Sequence, residues 1–270
     1  MKPTASLALA AALVCGLTTL TPPVRADEVA EKGRQVFARN HGAVVTVQVV
    51  VKVASGRSGN ASESKSDITG TVIDPSGLTV VALSSCDPSD IYRIMNESAK
   101  LEVEVTDVKI LLQDGTELPA EIVLRDKDLD LAFLRPKTKL TTPVTAVDLT
   151  KSAPAQLLDQ TLTLNRLNRA AGRAYAASME RISAVITKPR TFYIPDSMMT
   201  STGSGSPAFL LDGNVLGIFV LRAVSSAGGS GNGRDGVTSI ILPAADVLKA
   251  ARQAPEARGE EEKKDAPQEK

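Results

Sequence analysis

The chain has 270 residues, of which 43% are hydrophobic and 3% aromatic, and its 31 basic residues balance its 31 acidic ones. That balance excludes a protein built to grip nucleic acid or an anionic membrane surface. Two cysteines exclude a small disulfide-stapled scaffold, and no cofactor or metal site is expected.

Residues 1–26 read as a secretory signal peptide. Lys2 gives the positive start, Ala5 to Leu20 the apolar run, and Val24-Arg25-Ala26 a cleavage point just before Asp27. Small polar residues interrupt the run, whereas a membrane anchor needs about 20 uninterrupted apolar residues. Val14 is too bulky for the position before a lipidated Cys15. The expected product is exported, periplasmic or secreted, and free of the membrane once cleaved. Losing Lys2 and Arg25 takes the 31 basic residues to 29 against 31 acidic ones. Only Cys86 remains, so packing alone must hold the fold, for which about 240 residues suffice.

Glu28 to Asn40 predicts a short helix with Val29, Val36 and Phe37 on one face, within an N-terminal arm of residues 27–43. Val45, Val47, Val49, Val51 and Val53 then alternate, the mark of a strand over Val44 to Val53. Ala54 to Asp67, with Gly56, Gly59 and five serines, reads as a mobile loop. Asp74-Pro75-Ser76-Gly77 favours a type I turn between Thr71–Ile73 and Leu78–Leu83. Asp114-Gly115 joins Leu101–Leu112 to Glu117–Leu124 in a second hairpin, and Leu131–Leu134 is a short strand.

Lys137 to Ala155 has little periodicity and reads as a linker. Beyond it, Leu157–Leu164 and Ala176–Ile186 predict strands. Pro207–Leu211 and Val215–Val224 form a hairpin about Asp212-Gly213-Asn214. A last strand covers Val237–Leu242, and an amphipathic helix covers 244–252. From Ala254 to Lys270 six acidic and four basic residues leave almost nothing apolar, so the tail, 253–270, is expected to be disordered. The fold expected is all-β: two packed six-stranded antiparallel barrels, about 44–136 and 156–243, with short helices at both ends.

Three segments, in order, resemble the trypsin-like serine proteases, and among them the HtrA/Deg type. Gly70-Thr71-Val72-Ile73-Asp74-Pro75-Ser76-Gly77 is similar to that family's hairpin leading into the catalytic histidine. Asp126-Lys127-Asp128-Leu129-Asp130-Leu131-Ala132-Phe133-Leu134 is similar to the strand carrying the triad aspartate. Thr202-Gly203-Ser204-Gly205-Ser206-Pro207 resembles the Gly-Asn-Ser-Gly-Gly-Pro nucleophile loop, and Leu211 to Ile218 fits the hairpin after it. The resemblance covers about Val44 to Arg252, implies the trypsin-like double barrel, and leaves no PDZ domain behind it.

Carried over residue by residue, Ser204 takes the nucleophile position and Asp130 that of the acid that orients the base. The histidine is due seven residues after Gly77, and that residue is Ser84. The chain's single histidine, His41, precedes the first barrel strand. Serine cannot take a proton from Ser204 or return it to a leaving amine. The resemblance also puts oxyanion donors on the loop of Thr202 and Gly203. Thr202 and Ser206 both stand where the family has glycine, and a β-branched residue resists the backbone conformations glycine tolerates. Cys86 lacks a neighbouring cation or base that would make it reactive, and neither Lys100 nor Lys127 sits in a Ser-Lys dyad motif.

The expectation is therefore an exported trypsin-like pseudoprotease with a vestigial triad of Ser204, Asp130 and Ser84. It would act as a module binding extended or unfolded polypeptide, with self-association left open. The alternatives are a serine endopeptidase with residual or unconventional activity through Ser204, and a structural envelope protein.

Overall fold

The computed structural model of the protein describes residues 27–55, 61–89, 101–196, 203–223 and 237–256. Residues 1–26 and most of the charged tail lie outside them. Asp27 starts the first helix, α1 (Glu28–Asn40), its Oδ1 accepting the Val29 and Ala30 amides at 3.1 and 3.4 Å. Those are first-turn donors that no helical carbonyl can reach. A single 3-10 turn, His41–Ala43, leads on into the sheet.

Six strands follow: β1 (Val44–Ser55), β2 (Ala61–Val72), β3 (Thr79–Ala82), β4 (Leu101–Leu111), β5 (Glu117–Asp126) and β6 (Leu131–Pro136). They close into a barrel in the order β1-β2-β3-β6-β5-β4. A second barrel, β10-β11-β12-β9-β8-β7, is built from β7 (Gln160–Arg166), β8 (Tyr175–Ile186), β9 (Phe192–Pro195), β10 (Pro207–Leu210), β11 (Val215–Ala223) and β12 (Val237–Pro243). A one-turn helix, α2 (Leu83–Cys86), follows β3, and α3 (Ala244–Ala251) packs after β12. The expected pair of six-stranded antiparallel barrels is what the chain forms. Among the described residues, no helix is long and apolar enough to cross a membrane.

The valine alternation of β1 fills the first barrel with Val45, Val47, Val49 and Val51. Thr46 and Gln48, on the opposite face, are buried as well, because β1 lies against β7 of the second barrel. The Asp74–Gly77 turn closes as expected, with the Gly77 amide donating to the Asp74 carbonyl at 2.9 Å. Gly77 is needed there twice over. Its φ is +91°, and a Cβ would lie 2.8 Å from Pro136 Cγ.

Three expectations are corrected. The loop expected over Ala54 to Asp67 is largely strand, since β2 begins at Ala61 and pairs with β1 from Ala54↔Ala61 onward. Residues 61–66 are exposed and held by the backbone ladder, so no apolar period announces them. The second barrel gains a strand, β9, whose four residues are too few to display a period. Phe192 pairs with Ile186 of β8 and Tyr193 with Ile241 of β12, which completes the barrel. The linker of 137–155 carries no strand, yet it is a packed strap. Val147 and Leu149 are buried, the Val147 amide donates to Val72 of β2, and Val215 of β11 donates to Lys151.

α1 precedes the first barrel but docks on the second. A Cβ on Gly33 would meet Leu162 Cδ1 at 3.6 Å and Met179 Sδ at 3.7 Å. Leu162 and Met179 are cross-strand partners and so face outward, toward α1. By alternation Thr161, Thr163, Glu180 and Ile182 face the barrel interior, where Ile182 clusters with Tyr193, Ala208, Leu216, Phe219 and Ile241.

Candidate functional site

Asp130 stands in the turn between β5 and β6, with φ at +55°. The turn is tied on both sides: Leu129 donates its amide to Asp126 Oδ1 at 3.0 Å, and Leu83 donates to the Asp130 carbonyl at 2.9 Å. The positive φ swings the carboxylate out of the strand direction and into the seam between the barrels. There Oδ1 accepts the Ser84 amide at 2.7 Å, and Oδ2 accepts the Ser84 hydroxyl at 2.9 Å and the Leu221 amide at 2.8 Å. Ser84 belongs to α2 of the first barrel and Leu221 to β11 of the second, so one carboxylate spans both. Burial pushes its pKa up to about 6, against the opposing pull of the Leu221 amide and then of the Ser84 amide and hydroxyl.

The turn bearing Ser204 is pressed against the same seam. Its Gly205 amide donates to Phe219 at 2.8 Å, and Ser206 donates to the Gly203 carbonyl at 3.1 Å. From the first barrel, Thr71 Oγ1 donates to the Gly205 carbonyl at 2.7 Å. Gly205 has φ +92°, and a Cβ there would fall 2.3 Å from the Thr69 carbonyl oxygen and 3.4 Å from the Ala82 amide nitrogen. Ala82 is the residue before α2, so the Ser204 turn abuts the segment that carries Ser84. Ser204 itself is 5% exposed.

Of the residues picked out from the sequence, Asp130 and Ser84 are therefore in direct contact, and Ser204 and Gly203 lie on the adjoining turn. Thr202 and Lys100 fall outside the described residues. Cys86 is fully buried at the end of α2. Burial first, and then the Asp130 charge, push its thiol up to about 12, which keeps it protonated and unreactive.

His41 is elsewhere. Its ring stacks on Phe37 at 4.9 Å and meets the Tyr175 ring edge-on at 5.1 Å. Its Nδ1 lies 3.0 Å from the Phe37 carbonyl oxygen, and a carbonyl only accepts, so Nδ1 carries the proton. Arg166 covers Tyr175 at 4.0 Å. The imidazole is spent on docking α1 to β8.

No sequence pattern marks Leu221, Thr71 or Thr69 as part of the site. Leu221 and Thr69 serve through backbone groups, and backbone groups leave no side-chain signature.

A family model for the trypsin-like peptidase domain matches residues 29–218. The fold is similar to a solved structure of the HtrA-type protease AlgW with a decapeptide, at 17% identity and a TM-score of 0.57, covering 82% of this chain and 65% of that one. A second AlgW structure, with a tripeptide, matches at 17% identity and a TM-score of 0.52, covering 82% and 62%. The chain thus spans somewhat less than two thirds of the length of these structures. No curated protein matches it in sequence.

Proposed function

The chain belongs to the trypsin-like peptidase domain family, and we propose that it is an exported pseudoprotease of that family, kept as a polypeptide-binding module. The observation that carries this reading is the Ser84–Asp130 pair. In the family's mechanism the acid orients an imidazole that takes the nucleophile's proton and later gives it to the leaving amine. Here the acid is bound by a serine amide and hydroxyl, at 2.7 and 2.9 Å. That hydroxyl spends its one proton on Asp130 and has none of the basicity needed to take another from Ser204. In subtilisin, which runs the same triad chemistry, losing the histidine costs about 2 × 10⁶ in turnover, or on the order of 9 kcal/mol of barrier.

Binding needs none of this machinery. Extended peptides attach to sheet proteins through backbone hydrogen bonds and side-chain pockets. The similar AlgW structures hold a decapeptide and a tripeptide, which supports polypeptide as the ligand class here. Residues 1–26 support export, and the near-balanced charge supports neither nucleic acid nor membrane as partner.

The test is cleavage of a permanently unfolded protein by residues 27–270, with Ser204→Ala alongside. The expected result is no turnover above the mutant, together with measurable binding of the unfolded chain. Turnover that disappears in Ser204→Ala overturns the reading in favour of an unconventional endopeptidase.

A further inference from the structure

The first barrel closes between β4 and β5 for only part of their length. β4 pairs with β1 from Thr46↔Leu111 to Ser55↔Leu101, but with β5 only from Val108↔Ala120 to Leu111↔Glu117. β5 in turn pairs with β6 over Ala120–Asp126. Residues 101–107 of β4 and 121–126 of β5 thus each have a strand neighbour on one side alone. Both strands bulge where they part, with Thr106 and Val123 as the extra residues in their ladders. Between them lies a cleft of about 240 Å³, lined by Val105 and Asp107 on one side, Glu121, Ile122 and Arg125 on the other, and Lys137.

An edge of this kind presents a row of N–H and C=O groups that another extended chain can satisfy. β2 has a free edge as well, since it pairs with β3 only at Thr71 and Val72. Its residues 62–66, however, are serines with Glu63 and Lys65, which offer an added strand no apolar face. β4 differs. On one face Val103 stands opposite Val53 and Val105 opposite Val51. Val51 is buried, and Val103 and Val105 are half-buried. On the other face Glu63, Lys52 and Glu104 run across β2, β1 and β4 as a row of alternating sign, and Glu104 ends that row exposed.

We propose that the free edge of β4 is a docking site for an extended polypeptide, added antiparallel as a further strand, with the preferred sequence apolar–basic–apolar. The apolar residues stand opposite Val103 and Val105 and continue the valine rows. The basic residue stands opposite Glu104 and continues the alternation of charge. Asp107 and Glu121 balance Arg125 and Lys137 around the cleft, so the row ending at Glu104 decides the sign. This inference rests on the reading of the protein as a polypeptide binder and names the surface and the sequence it takes.

The experiment titrates residues 27–270 with two labelled threonine-rich peptides, one with a central Val-Lys-Val and one with Val-Glu-Val, by fluorescence anisotropy. Backbone hydrogen exchange then locates the bound peptide. The lysine peptide is expected to bind about 5-fold tighter, the size of a cross-strand charge pair. It should slow exchange at those amides of residues 103–107 that point away from β1, and leave the Ser204 turn unchanged. Glu104→Lys is expected to reverse the preference. Glu104→Gln should erase it, and covers the case in which lysines facing each other at 52 and 104 unfold the strand pair. Equal affinities, a preference that survives both variants, or slowed exchange confined to other strands overturns the inference and leaves polypeptide binding standing. Slow exchange at those amides before any peptide is added means that the chain already covers the edge, and overturns it likewise. Slowed exchange at β4 in a protein that also shows Ser204-dependent turnover keeps the inference and overturns the pseudoprotease reading. Binding of neither peptide overturns the inference, and the polypeptide reading falls with it if the unfolded protein is not bound either.

Discussion

Two corners of this molecule hold, separately, what a serine protease holds together. At the seam of the barrels, Asp130 receives the Ser84 amide and hydroxyl and the Leu221 amide, a network able to orient a base, and the side chain on it is a serine. At the junction of α1 with β8, the imidazole of His41 is fixed between Phe37 and Tyr175 and bonded to a carbonyl. One corner has orientation without a base, and the other a base without an acid. An acid–base group is defined by the partners its fold brings to it, and counting residue types along a chain does not reveal them.

The largest effect should come from moving the base. Ser84→His, combined with Thr202→Gly, puts an imidazole on Asp130 beside a loop restored to glycine. Hydrolysis of an activated ester is expected to rise on the order of 10²–10⁴-fold, the usual worth of a positioned base. The gain should vanish when Ser204→Ala is added. A gain that survives Ser204→Ala would mean that the Ser204 turn is not where the chemistry takes place.

The next effect concerns the charge that Asp130 carries without an imidazolium beside it. Its folded pKa of about 6 lies above the ordinary 3.8. Between those values the folded protein holds a proton that the unfolded chain releases. Stability from this group is therefore full below about pH 4 and is lost as pH rises through about 6. Two pKa units correspond to about 3 kcal/mol at most. Urea melts from pH 4 to 7 should show Asp130→Asn gaining on the native protein by up to that amount as pH rises. A constant difference would mean that the three donors cancel the cost of burial.

The smallest effect belongs to the other corner. His41→Ala removes one aromatic ring from the α1 contact and is expected to cost about 1–2 kcal/mol in denaturant melts. The cleavage behaviour of the protein, and of the Ser84→His variant, should not change. Loss of the engineered activity with His41→Ala would join the two corners functionally and break the contrast between them.

Much of this was written locally in the chain. The valines at 45, 47, 49 and 51 require one face to be buried. Asp74-Pro75-Ser76-Gly77 requires a tight turn, and counting from that turn reaches Ser84, which does lie on Asp130. Each is a short-range signal, set by side-chain period or backbone preference, and tertiary packing does not alter it. Residues 61–66 and β9 were not legible in this way. Exposed polar residues become strand only because β1 offers them a ladder, and four residues close a barrel only because two neighbours leave a gap.

The sequence by itself determined the barrels' apolar frames, the main turns and the absence of a histidine from the place after the Gly77 hairpin. Tertiary structure alone decided the rest. It bound the Leu221 amide to Asp130, set Gly205 against the Thr69 carbonyl, and packed His41 into an aromatic cage. The physical reason is common to all three. A backbone amide, a carbonyl or a single histidine has no pattern along the chain, and its role is assigned only by what the fold places within hydrogen-bonding or van der Waals reach.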